Sequence, residues 1–155
     1  MKRLVRVSGE SMAPTYRSSD LLLTRRVGRA GPSRGDVVVL RHGALRMIKR
    51  VVAGPGDLVE LEAGRLFVDG KSVDGRRRVR GASTQAWRVP AAHWFVVGDH
   101  QAVSDDSRVW EEPFVATPDV EAVVTRRLPT RRLPGPRRSV GLTARRPAPA
   151  AAQAA

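Results

Sequence analysis

The sequence predicts an all-β fold of coiled antiparallel sheets, closing into a sandwich or partly open barrel with little helix. Three observations carry this. Short runs of β-branched and aromatic residues recur, among them Val37-Val38-Val39-Leu40 and Trp94-Phe95-Val96-Val97. Turn formers break the chain between them, as in Gly54-Pro55-Gly56-Asp57 and Asp69-Gly70. No long segment repeats its apolar residues at the helical period of about 3.6.

The elements follow in order. Residues 1–7 alternate loosely and predict a short strand that leads into a turn at Gly9 and Ser11. Leu21 to Thr24 is a second strand, followed by a loop through Gly28, Gly31 and Pro32. Gly35-Asp36 turns into the buried strand Val37 to Leu40. His42-Gly43 turns the chain, and Leu45 to Val52 returns antiparallel, carrying Lys49. After residues 54–57, Leu58 to Leu61 and Arg65 to Val68 form a hairpin around Ala63-Gly64. Asp69-Gly70 is a type I′ turn signal leading to Lys71-Ser72-Val73. Residues 74–86 are rich in Arg, Gly and Ser and read as an exposed loop. Trp94 to Val97 is a further buried strand, and residues 119–124 form the last one.

Charge divides the chain in two. The 155 residues carry a net charge of +13, yet residues 126–155 hold eight arginines and no acid. Residues 1–125 are therefore expected to form one domain, and residues 126–155 a disordered basic tail rich in Pro, Ala and Arg. Such a tail would touch anionic membrane peripherally. Seven aromatic residues, thinly scattered, give no base-stacking surface, so no specific nucleic-acid partner is expected. The absence of cysteine excludes disulfides and thiol nucleophiles. Three histidines at unrelated spacings suggest no metal site, and no cofactor is expected. No apolar run approaches the ~20 residues that span a bilayer. The expected location is peripheral on a membrane, with its side left open, or alternatively soluble in the cytoplasm.

Three segments carry the functional signal. The first is Ser8-Gly9-Glu10-Ser11-Met12-Ala13-Pro14-Thr15. The second is Met47-Ile48-Lys49-Arg50-Val51-Val52-Ala53-Gly54-Pro55-Gly56-Asp57. The third is Gly98-Asp99-His100-Gln101-Ala102-Val103-Ser104-Asp105-Asp106-Ser107-Arg108. Together, in this order, they resemble the type I signal peptidases, Ser/Lys proteases that remove secretory signal peptides, in a small form without the N-terminal membrane helix. The resemblance covers roughly residues 5–125.

It implies a signal-peptidase-like sheet fold and a serine endopeptidase. Ser11 would be the nucleophile, its own backbone N–H an oxyanion donor, and Lys49 the general base. Ser104 matches the serine that orients the lysine, and Asp106 with Arg108 the charged pair that braces the site. The chemistry is consistent with these residue types. A serine hydroxyl needs a base as it attacks. Lysine has an ordinary pKa of ~10.4, so neutrality at pH 7 costs about 4–5 kcal/mol, which an apolar neighbourhood supplies. Met47 and Val51 share a strand face with Lys49 and fit that need. The resemblance further implies substrates cut after small residues in an Ala-X-Ala-like pattern, with the leader peptide of a precursor as partner. Met12 is expected to pack beside the site.

Some positions depart from the family pattern. His100 replaces an asparagine after Gly-Asp, and Gly9 stands where some relatives place a serine that assists the oxyanion hole. Trp110-Glu111-Glu112-Pro113 replaces a glycine-containing stretch, a change expected at the floor of the site. Other readings are a soluble maturation protease for one leader, of the nickel superoxide dismutase type, a LexA-like self-cleaving protein, and a non-catalytic binding module.

Overall fold

The computed structural model describes residues 1–77 and 84–129, with Thr84 described by its backbone alone. In chain order the strands are β1 (Lys2–Arg6), β2 (Leu21–Arg26), β3 (Val37–His42), β4 (Leu45–Ala53), β5 (Leu58–Glu62) and β6 (Arg65–Val68). They continue with β7 (Lys71–Ser72), β8 (Thr84–Arg88), β9 (His93–Val97), β10 (Val115–Ala116) and β11 (Val120–Leu128). Single 3₁₀ turns at Gln101–Val103 and Thr117–Asp119 are the only helical elements among the described residues. A seven-stranded sheet runs β1-β2-β11-β3-β4-β9-β10, and a four-stranded sheet runs β7-β6-β5-β8. All pairings are antiparallel. The all-β expectation therefore holds, as sheets that do not close into a barrel.

The β6–β7 turn is the I′ hairpin its dipeptide predicts, with φ of 49° at Asp69 and 77° at Gly70. Two expectations need correction. The predicted loop 74–86 is too long, because Thr84–Arg88 pairs along β5 as a strand. Polar composition hid it, yet Trp87 packs against the core and the ladder satisfies the backbone. The remaining part of that loop, 78–83, lies outside the described residues. The predicted domain end at 125 is three residues short. Beyond a bulge between Val124 and Arg126, residues 126–128 pair with Leu23, Leu22 and Leu21 of β2. Arg126 and Arg127 look like tail by charge, but a strand leaves their side chains exposed while its backbone pairs. The predicted tail from 130 onward, and the membrane contact assigned to it, lie outside the described residues.

Two apolar clusters flank the strands that carry the site. Along β9, Trp94 and Val96 enter one cluster, whereas Phe95 and Val97 enter the other. Burial on both faces explains why this segment is continuously apolar rather than alternating. On β4 the period of two puts Met47, Lys49 and Val51 on one face, and Met47 and Val51 pack with the first cluster. The neighbouring Val38 and Val51 are fully buried, each worth about 1.5–3 kcal/mol. Among the described residues no helix is long and apolar enough to cross a membrane.

Candidate active site

The turn that carries Ser11 is an excursion between β1 and β2. Its base is closed by Val7 N–H donating to the Asp20 carbonyl and Ser19 N–H donating to the Val7 carbonyl, both at 2.9 Å. Gly9 lies in the left-handed region at φ 82°, which a side chain would oppose. The Ala13–Pro14 peptide bond is cis. Tyr16 N–H donates to the Met12 carbonyl at 2.9 Å, and the Met12 side chain is buried beneath the turn. Ser11 is half-buried at the turn's crest. Its carbonyl accepts the His100 N–H at 2.9 Å. Neither its N–H nor its hydroxyl has a hydrogen-bond partner among the described residues.

Lys49 reaches the same place from the interior strand β4. It is 3% exposed, and its Nζ donates to Ser104 Oγ at 3.2 Å. Burial pushes its pKa down, the Asp106 and Asp105 charges pull it partly back, and Arg108 adds to the lowering. The net shift is downward. Ser11 and Lys49 line one cleft of about 310 Å³ with Val5, Val7, Met12 and Ile48. No hydrogen bond joins Ser11 Oγ to Lys49 Nζ, a looseness common where no substrate is bound.

The loop after β9 supplies the third side. A Cβ at Gly98 would run into the Ser104 side chain and the Ser11 carbonyl, so close approach demands glycine here. Asp106 is fully buried. It accepts Gly98 N–H at 2.8 Å and the Arg108 fork at 2.9 and 2.6 Å. Burial alone would raise its pKa, but Arg108, the Ser104 hydroxyl and the Gly98 amide outweigh it and hold the carboxyl below its ordinary value. Ser107 Oγ accepts Val96 N–H at 3.0 Å and ties the loop to β9. Next to it, Asp105 accepts the Trp110 indole N–H at 3.0 Å. The Trp110 ring stacks on His42 at 3.8 Å and 10°. Trp110 is not among the residues that line the cleft with Ser11 and Lys49; it reaches the site through Asp105.

The structure thus brings Ser11, Lys49, Ser104, Asp106 and Arg108 into one cluster. It adds a brace that sequence reasoning missed. Arg50 faces away from Lys49 and grips Asp99 with both arms, at 2.8 and 2.7 Å. Asp99 also accepts the Thr15 hydroxyl at 2.6 Å. Burial would raise the Asp99 pKa, but Arg50 and Thr15 hold it low. Thr15, Arg50 and Asp99 come one from each of the three motif segments, which is the signal that could have found them. Their contact fastens the Ser11 turn, the lysine strand and the Gly98 loop to one another. No three His, Asp or Glu side chains converge as metal ligands would among the described residues.

The family model described as signal peptidase, peptidase S26, matches residues 2–128. Signal peptidase I of Pseudomonas fluorescens is 33% identical over 116 residues, covering 53% of this chain and 41% of that protein. Signal peptidase I S of Bacillus subtilis (strain 168) is 32% identical over 117 residues, covering 66% of this chain and 64% of that protein. The chain therefore spans between 41% and 64% of the length of these two relatives. A crystal structure of a signal peptidase I from Enterococcus faecalis V583 aligns at a TM-score of 0.47 with 29% identity, over 64% of this chain and 99% of that one. With the family model spanning nearly all of its described residues, the chain belongs to the signal peptidase family, peptidase S26.

Proposed function

We propose that this chain is a serine endopeptidase that removes N-terminal signal or leader peptides after small residues, using Ser11 as nucleophile and Lys49 as general base. The observation that carries the proposal is Lys49 itself: a buried ammonium with one hydrogen bond, to Ser104, in the cleft that Ser11 opens into. A lysine placed this way sheds its proton far more readily than one in water.

Ser11 Oγ attacks the scissile carbonyl while Lys49 Nζ takes the hydroxyl proton. The unengaged Ser11 N–H donates to the developing oxyanion. As the tetrahedral intermediate collapses, Lys49 returns the proton to the departing amine. Lys49 then deprotonates a water that releases the acyl group and restores Ser11. Ser104 fixes the direction of the lysine lone pair, and Asp106 with Arg108 fixes Ser104. Residues 5–8 line the cleft, and β1 is an edge strand of its sheet. The substrate backbone pairs along that edge, and shallow apolar walls from Val5, Val7 and Met12 admit small side chains.

Incubation with full-length precursors and Ala-X-Ala peptides tests this. Ser11→Ala and Lys49→Met should each abolish cleavage at the same bond; undiminished cleavage by either variant removes the dyad.

A further inference from the structure

Beside the catalytic cleft lies a wider groove of about 790 Å³ between the β1–β2 strands and the start of β11. Four arginines line it, Arg3, Arg26, Arg29 and Arg46, against a single acid, Glu121. Glu121 is already engaged by Arg46 at 2.8 Å and approached by Arg41 at 3.9 Å. Arg3, Arg26 and Arg29 are exposed and make no ion pair among the described residues. Three unpaired cations on one concave wall leave an uncompensated positive potential, which a concave site focuses. Arg46 lines both this groove and the cleft that holds Ser11 and Lys49. The two therefore adjoin at Arg46, and a polypeptide leaving Ser11 on that side meets the arginine groove next.

We propose that this groove is an exosite for an acidic stretch of the substrate chain, lying to one side of the bond that is cut. The inference rests on the proteolytic reading above. A polypeptide is the favoured occupant because the site is concave, lined in part by Val27, Val120 and Ala122, and shares Arg46 with the cleft. A lipid surface would call instead for a protruding face. Arginine suits the task, since its planar fork takes a carboxylate in two hydrogen bonds. An extended residue advances about 3.3 Å, so a run of four acids spans roughly 13 Å and can present several carboxylates to the groove at once.

The test uses the Ser11→Ala full chain and fluorescence anisotropy, so that binding is read without cleavage. The probes are an Ala-X-Ala peptide, the same peptide with four aspartates added before or after the Ala-X-Ala site, and the matching tetralysine peptides. Tetra-aspartate on one side should tighten Kd at least fivefold at about 20 mM salt, and the gain should vanish near 1 M, where screening acts within ~3 Å. Tetralysine on that side should weaken binding. Replacing Arg3, Arg26 and Arg29 together by Gln should erase the gain, leave binding of the neutral peptide and the circular dichroism spectrum unchanged, and, in the chain that keeps Ser11, leave cleavage of the neutral peptide unchanged. Equal gains from both sides, or a gain that survives the triple variant, would overturn the exosite. So would a triple variant that loses affinity for phosphatidylglycerol vesicles but keeps the aspartate gain. An aspartate gain in a protein whose wild type cuts no peptide would sink the protease reading and leave the groove standing; cleavage without the gain would do the reverse.

Discussion

Asp106→Asn tests the base of the site most directly. The carboxylate is fully buried, and the Arg108 side chain that grips it is 11% exposed. Four donors point at it: the Gly98 amide, the Arg108 amide and both arms of the Arg108 fork. An asparagine keeps one acceptor oxygen but turns an NH₂ toward donors, and it leaves the guanidinium without a counter-charge. Removing one partner of a buried pair costs about 3–5 kcal/mol. For a domain of this size that lowers Tm by about 10–20 °C. Thermal unfolding followed by circular dichroism reads it at pH 7. The native pKa of Asp106 is lowered, so its contribution is present above the ordinary carboxylate value of about 3.9 and is lost as pH falls through the lower native value. The gap between wild type and variant should therefore shrink only in strong acid. Kinetics supply a second reading. Asp106 is the foremost charge holding the Lys49 pKa up, so its neutralisation should move the acidic limb of kcat/KM to lower pH while the rate falls about tenfold or more. A Tm within about 2 °C of wild type, or a limb that moves upward, would refute the reasoning.

Three further outcomes follow from the same geometry. Lys49→Met should be inactive yet more stable than wild type at pH 7, because folding lowers the lysine's affinity for its proton. Wild-type stability then rises with pH between the lowered native value and about 10.4, so urea titrations at pH 7 and 10 should show the gap narrowing. Gly98→Ala forces a methyl against Ser104 and the Ser11 carbonyl; it should cost about 1–3 kcal/mol of stability and roughly a hundredfold in kcat/KM, and activity near wild type would contradict the contact. Arg50→Lys loses the fork on Asp99; a loss of about 1–2 kcal/mol and a several-fold drop in kcat/KM are expected, and an unchanged melting curve would count against the brace.

Much of the fold was legible because local chemistry and final structure agree. Val37 to Leu40 and Trp94 to Val97 are apolar runs rich in β-branched or aromatic residues, and both are strands. Asp69-Gly70 names its own turn. Thr84–Arg88 was hidden because its polar residues gain their place from pairing with β5, some 25 residues back, which no local pattern reports. The division into two sheets was hidden for the same reason. At the site, Ser11, Lys49, Ser104, Asp106 and Arg108 were named from the motifs, and all of them meet. Thr15, Arg50 and Asp99 sat inside those motifs unremarked, since a threonine, an arginine and an aspartate have no meaning singly. Only their convergence across 84 and 49 residues gives them one.

The two candidate reactive groups stand on supports of unequal strength. Lys49 belongs to β4, which lies between β3 and β9 inside the larger sheet. Ser11 follows β1, a strand paired on one side only and ended by a polar turn. Opening free energies vary along a chain, and edges and turns open first. The serine side should therefore exchange its amide hydrogens quickly while the lysine strand stays protected. Gentle heating should then undock Ser11 from an otherwise intact sheet, so that any activity depending on it disappears reversibly at temperatures where the global melt has not begun.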